Sequence, residues 1–351
     1  MEHSVNDDVH PAELEINGTG YSRLADLETE TGILRRGDFI CDLSHLGFAT
    51  ASGPDAAEFL HRQLTNDLKN LGSDDSELTG YCTNKGRLLC IFRVHRGNGD
   101  VILQAGKPVL TTTLETIRRY ILRAKVTLDA REDIQSFGVF GKDSSQALAL
   151  LTGAIPDRVD GVSSCGGITV IRHAPAAAER YQVIGPTAAL GNLWRELSGS
   201  CPVTGSWSWA AYDINQGRPA IFEQTAGEFL PHSVNMDLLN AVSFRKGCYP
   251  GQEIVARMHY RGKPKSRMIH ARLDSGPTPA PGDKIYVEGN EQSIGMLVDV
   301  APSEPGYDVL TTIKLEYLEE GNLMLAGPTG ARITRGKMPY SLDDDRQHDT
   351  R

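Results

Sequence analysis

Lys246-Gly247-Cys248-Tyr249-Pro250-Gly251-Gln252-Glu253 lies about two thirds of the way along a chain of 351 residues. Gly247 and Gly251 bracket a Tyr-Pro turn. Glycine reaches backbone conformations closed to residues bearing a Cβ and lets another group approach the main chain. Arg245 and Lys246 flank the thiol of Cys248 on one side, and a neighbouring cation favours the thiolate. No His or metal ligand stands at a fixed spacing from it. The residues alone therefore leave two readings of Cys248, a reactive thiol or a small packed hydrophobe in a tight turn.

The chain around this stretch is 40% hydrophobic and long enough for two or three domains with their own cores. Its formal net charge of −9 argues against wholesale binding of a phosphate backbone, which takes a basic domain. Locally, Arg257, Arg261, Lys263, Lys265 and Arg267 form a basic patch, read either as an RNA contact or as a solvated loop. The six cysteines, at 41, 82, 90, 165, 201 and 248, are scattered with no C-x-x-C pair. This pattern fits a reducing compartment and predicts no stable metal site. The acidic stretch 1–15 reads as neither a secretory signal nor a transit peptide, and no run reaches the roughly 18 apolar residues of a membrane span. A cytoplasmic protein with no membrane partner is expected, with flexible tails at 1–19 and 342–351.

Upstream of the motif one arrangement recurs: an apolar strand, a Gly turn, then a small polar residue opening an amphipathic helix. Its copies are a strand at 47–52 with a helix at 56–64 capped by Asp55, a strand at 101–104 with a helix at 109–119, a strand at 137–140 with a helix at 144–151, and a strand at 181–184 with a helix at 188–197. Further strand-like runs fall at 80–83, 87–95 and 168–173. Four such units with intervening strands predict an α+β fold built from paired ferredoxin-like β-α modules. After about residue 265 the texture changes to short β-prone runs at 268–273, 284–288, 294–301, 309–315 and 324–326, separated by Gly/Pro turns. They predict a small antiparallel barrel or sandwich. The linking region 207–241 mixes aromatic, amide, carboxylate and His side chains, a composition suited either to the lining of a polar heterocycle's pocket or to ordinary loops.

The motif resembles the K-G-C-[FY]-x-G-Q-E signature of the YgfZ-type folate-binding proteins, relatives of the glycine cleavage T-protein. The likeness runs on through Ile254-Val255-Ala256-Arg257 and Arg261-Gly262. Asp42-Leu43-Ser44-His45-Leu46-Gly47, Ser52-Gly53-Pro54-Asp55-Ala56, Leu64-Thr65-Asn66-Asp67 and 120–126 are similar to segments shared with T-proteins. The resemblance spans roughly residues 23–340. It implies a T-protein-like ring with a central hole for tetrahydrofolate or a one-carbon derivative, followed by a C-terminal antiparallel β-barrel. It also implies a discontinuous first domain, 20–50 with 134–250, a second domain at 51–133, and the barrel at 251–341. The family is implicated in assembly or maintenance of iron-sulfur proteins, including four-iron enzymes that modify tRNA, so iron-sulfur client or assembly proteins are the expected partners beside folate. Carried over, the functional thiol is Cys248, with Lys246 and Glu253 beside it, and Tyr249, Gln252 and Arg257 join the folate-contacting set.

Two departures from the T-protein pattern stand out. The stretch matching the T-protein's catalytic acid reads Asn84-Lys85-Gly86-Arg87-Leu88-Leu89-Cys90-Ile91-Phe92-Arg93, without a carboxylate to manage the proton in aminomethyl transfer. The Arg-x-Glu whose Glu grips the pterin is matched by Asp213-Ile214-Asn215, making Asp213 and Asn215 the candidates for the ring. Three functions follow: a folate-binding accessory factor for iron-sulfur proteins, a folate-dependent one-carbon transferase using Glu253 or Asp213 as acid-base, and an RNA-binding or scaffold module on the basic patch.

Overall fold

The computed structural model describes residues 18–342 apart from 98, 176–177, 263 and 320–321. The tails expected at 1–19 and 342–351 lie, except for 18, 19 and 342, outside the described residues, as does Lys263. The chain opens with α1 (Leu27–Arg36), whose Asp26 cap accepts from Thr29 N at 2.9 Å, and β1 (Phe39–Asp42). It continues through β2 (Leu46–Ser52), α2 (Ala56–His61), β3 (Ser76–Cys82), β4 (Leu88–Gly97), β5 (Asp100–Gly106), α3 (Lys107–Arg118) and β6 (Thr127–Ala130). Then come β7 (Ile134–Phe140), α4 (Lys142–Thr152), β8 (Val162–Cys165), β9 (Ile168–His173), β10 (Arg180–Pro186), α5 (Thr187–Ser198) and β11 (Val203–Thr204).

Each long helix buries one stripe against its sheet. In α3 the buried set is Val109, Leu110, Thr113, Leu114 and Ile117, and in α5 it is Leu190, Leu193, Trp194 and Leu197, both at three- and four-residue spacing. The first sheet runs β11-β1-β7-β10-β9-β8 and the second β3-β4-β5-β2-β6. Within the second, β2, β4, β5 and β6 take the order and antiparallel pairing of a β-α-β-β-α-β split module, with β3 added at the edge. The first repeats the plan with β7, β9, β10 and β11, into which β1 is inserted between β11 and β7. The chain passes from the first sheet to the second between Asp42 and Leu46, a few residues before the crossing expected near residue 50.

Past α6 (Trp207–Asn215) and a long irregular connection, α7 (Gln252–Arg261) leads into β12 (Ser266–Leu273), β13 (Lys284–Val287), β14 (Gly295–Pro302), β15 (Tyr307–Lys314), β16 (Leu323–Leu325) and β17 (Ala331–Arg335). These six strands close a barrel, which leaves no sheet edge exposed. Ile269, Ala271 and Leu273 alternate into its core together with Leu297, Val300 and Ile313. Among the described residues no helix is long and apolar enough to cross a membrane.

Several local expectations are corrected. Asp55 makes no side-chain cap bond, because its carboxylate accepts from Lys125 N at 2.7 Å across the sheet, and α2 ends at His61 rather than at residue 64. Two helices lie where the sequence reads as loop: α6 is buried on nearly all sides, and α7 occupies the basic stretch. The strand β17 was absent from the expected set, since Arg332 and Arg335 interrupt its apolar pattern. Arg267 is no surface cation. Its guanidinium is buried and forks onto Asp237 at 2.7 and 3.0 Å, tying the first barrel strand to the connection before α7. Breaking a buried pair strands the other charge. Arg267→Met is expected to lower unfolding free energy by about 3–5 kcal/mol in chemical denaturation.

Candidate functional site

The motif is held from below by a buried ammonium. Lys246 Nζ donates to the backbone carbonyls of Leu64 at 2.5 Å and Asn66 at 3.0 Å, and to that of His61. It also lies 5.2 Å from the ring centre of Tyr249, which is itself buried. Burial lowers the Lys246 pKa to about 8, opposed by the charges of Asp67 and Glu77 beneath it. Lys246 is thus an anchor for the loop, its ammonium held by three backbone carbonyls. Cys248 is exposed at the top of the anchored turn, with Arg245 and Gly247 also in solvent.

The two glycines of the motif differ. Gly251 has φ of +79° and caps α7, and a Cβ there would lie 2.5 Å from the N and Cα of Gly86 and from the carbonyl of Thr83. The close approach seats the loop on the turn between β3 and β4, the stretch Asn84-Lys85-Gly86 that lacks the T-protein acid. Gly247 has open space around its would-be Cβ and no positive φ. The stacked rings of Phe244 and His259, 3.6 Å apart, fasten α7 back onto the chain preceding the motif.

A cavity of about 520 Å³ lies elsewhere, where both sheets, the barrel and the connection after α6 meet. Its size is that of a small-molecule site. Leu46, Leu78, Ile91, Val109 and Phe222 give it apolar walls, and Tyr21, His45, Arg93, Gln104, His173, Trp209, Asp213, Arg218 and Asp299 supply the polar and aromatic groups. Asp213 Oδ1 accepts from Arg180 Nη2 at 2.8 Å. The Arg180 side chain is fully buried, with its guanidinium 4.0 Å from the Trp209 ring centre. Among the described residues Gln104 Oε1 and His45 Nδ1 are buried with no hydrogen-bond partner. Burial lowers the His45 pKa to about 4, leaving a neutral imidazole.

Asp299 reaches the cavity because of a β-bulge. The register of β14 against β15 shifts between Leu297 and Asp299, so that Leu297 and Val300 point into the barrel while Asp299 turns out of it. There it accepts from Tyr21 Oη at 3.1 Å and from Val300 N at 2.8 Å. Burial, against those two bonds, raises its pKa to about 8, so the carboxyl is mainly protonated at neutral pH. The cavity therefore offers a neutral acid, a phenol, a neutral imidazole, an amide oxygen and one carboxylate with an oxygen free of Arg180, beside the guanidiniums of Arg93 and Arg218.

Of the residues expected to contact the cofactor, only Asp213 lines this cavity. Asn215 follows it by two positions on α6, about 200° around the helix. It is exposed, with its Nδ2 bonded to Ala211 O at 2.8 Å. Tyr249 is buried beside Lys246, and Gln252, Glu253 and Arg257 sit on α7 outside the cavity lining. Tyr21, Arg93, Gln104, Arg218 and Asp299 were not anticipated. A charged residue within the apolar run 294–301 was the one available signal for Asp299.

The fold is that of the T-protein class. The aminomethyltransferase T of the glycine cleavage system from Bartonella henselae superposes with a TM-score of 0.70 over 87% of each chain, at 14% sequence identity. Curated relatives narrow this further. The tRNA-modifying protein YgfZ of Yersinia pestis (strain Pestoides F) is 30% identical over 311 residues, 88% of this chain and 94% of its own. That of Klebsiella pneumoniae (strain 342) is 28% identical over 304 residues, 86% and 93% of the two chains. This chain belongs to the YgfZ family. No protein-family profile matches it.

Two outcomes test the geometry. Gly251→Ala is expected to cost about 2 kcal/mol or more of stability, through both positive φ and the clash with Gly86, whereas Gly247→Ala stays within about 0.5 kcal/mol, as read from denaturation midpoints. For Asp299, the folded protein keeps a proton that the unfolded chain releases above 3.8, so its contribution to stability is complete below that value and is lost as pH rises through about 8. Asp299→Asn removes this dependence, and calorimetry should show its Tm gaining on that of the wild type between about pH 5 and about pH 8.

Proposed function

We propose that this chain is a reduced-folate-binding accessory protein serving tRNA modification. In this reading tetrahydrofolate or a one-carbon derivative occupies the central cavity, and Cys248 is offered outside it to an iron-sulfur client or assembly protein. The observation that carries the reading is the pairing of a cavity of mixed polar and apolar lining, which holds unpartnered buried polar atoms, with an exposed thiol on a separately anchored loop. The donor set fits a pterin. The free oxygen of Asp213 and Gln104 Oε1 can accept from ring N–H and amino groups, while the Trp209 and Tyr21 rings supply apolar faces. The bound folate would supply one-carbon or redox chemistry. The protein's own residues bind and orient it and exclude water.

A one-carbon transferase draws less support, because Glu253 stands on α7 outside the cavity and Asp213 is tied to Arg180. RNA contact retains the exposed Arg245, Arg257, Arg261 and Lys265, without Arg267.

Titration calorimetry of the full chain with 5-formyltetrahydrofolate should show binding that falls at least about tenfold in Asp213→Asn and is unchanged in Cys248→Ser. In cells lacking the protein, Cys248→Ser should fail to restore the tRNA modification while still binding folate. Absence of binding by the wild type removes the folate part of the proposal; full restoration by Cys248→Ser removes the thiol part.

A further inference from the structure

Arg93, Arg180 and Arg218 all lie close enough to the buried His173 to push its pKa below the ordinary value, after burial itself. Two of the three have carboxylate partners. Arg180 pairs with Asp213 at 2.8 Å, and Arg93 pairs with Asp160 at 2.8 Å and donates to Ser76 Oγ at 2.9 Å. Arg218 differs. Its backbone N–H bonds the carbonyl of Asp213 at 2.9 Å, which fixes the residue at the cavity wall between Gly217 and Pro219. Among the described residues, however, its guanidinium has neither an ion-pair nor a hydrogen-bond partner. The side chain is half-buried; desolvation and the repulsion of Arg93 lower its pKa to about 10, against the attraction of Asp213 and Asp160. Three guanidiniums thus share two carboxylates, and the surplus charge faces the cavity.

A guanidinium partly withdrawn from water without a bonded anion is costly, and its planar fork matches a carboxylate or a phosphate. Asp213 also acts on Tyr21, His45 and Asp299, so the same cavity joins a hydrogen-bonding region for a neutral heterocycle to a cationic region. We propose that Arg218 is the anion-binding residue of the central cavity, receiving a carboxylate or phosphate of the ligand, so that the site selects an acid-bearing ligand over its uncharged analogue. The proposal rests on the reading of this cavity as the ligand site.

Two measurements on the full chain test it. Without ligand, Arg218→Gln removes a half-buried charge that no anion bonds and should leave Tm unchanged or higher; a drop of more than about 5 °C would show a structural role and overturn the proposal. By calorimetry, the wild type should bind 5-formyltetrahydrofolate, which carries a glutamate, more tightly than 6-methyltetrahydropterin, which carries no acid. Arg218→Gln should weaken the first about tenfold to a hundredfold and the second by less than about twofold, with Arg218→Lys intermediate because it keeps the charge and loses the fork. Equal weakening of both ligands, or of neither, overturns it. If neither ligand binds the wild type, the folate reading fails by itself, and inorganic phosphate and succinate become the probes. Thermal stabilisation of the wild type by either, lost in Arg218→Gln, supports the anion site and tells phosphate from carboxylate; stabilisation by neither overturns it.

Discussion

The ammonium of Lys246 is the constraint on which the signature loop depends. Three carbonyls of residues 61–66 converge on it, and those carbonyls are free to do so because α2 stops at His61. A charge removed from water and met by several acceptors fixes geometry more than it adds stability, since desolvation offsets much of the attraction. The result is a turn rooted in the second sheet, with Tyr249 beneath it and Cys248 above. Gly251 completes the placement by letting the backbone of the loop touch that of the β3–β4 turn.

The cavity depends on a different device. A single β-bulge in the barrel turns Asp299 away from the barrel core and toward Tyr21, while α6, packed between the first sheet and the barrel, brings Asp213 and Trp209 to the same space. Residues far apart in the chain thereby form one lining, with polar groups that hold themselves neutral (Asp299, His45) beside guanidiniums that cannot. Cys248 is not part of this lining and is exposed on a separate loop.

Much of the architecture was legible in the residues. Amphipathic spacing in α3 and α5, apolar alternation in the barrel strands and the Gly turns between them follow from local rules of burial, and they gave the paired modules and the barrel. The site was less legible. Asp213 and Asn215 were both read from the match to the Arg-x-Glu segment, with Asn215 in the place of its Glu, and of the two only Asp213 lines the cavity. Once α6 is recognised, two positions apart means opposite faces. Arg267, taken for a surface cation, illustrates the same limit: no sequence pattern shows that Asp237, thirty residues away, waits beneath it.

What the sequence by itself determined is the kind of protein: a family motif around Cys248, an α+β body of repeated units, and a β-barrel to follow. Only the tertiary structure decided which polar and charged side chains meet. Whether Lys246 activates a thiol or anchors a loop, and whether Arg218 or Arg267 keeps a charge to spare, depends on which carbonyls and carboxylates arrive from distant segments. Electrostatic partners are set by contacts in space, whereas the patterns that specify helices and strands repeat along the chain.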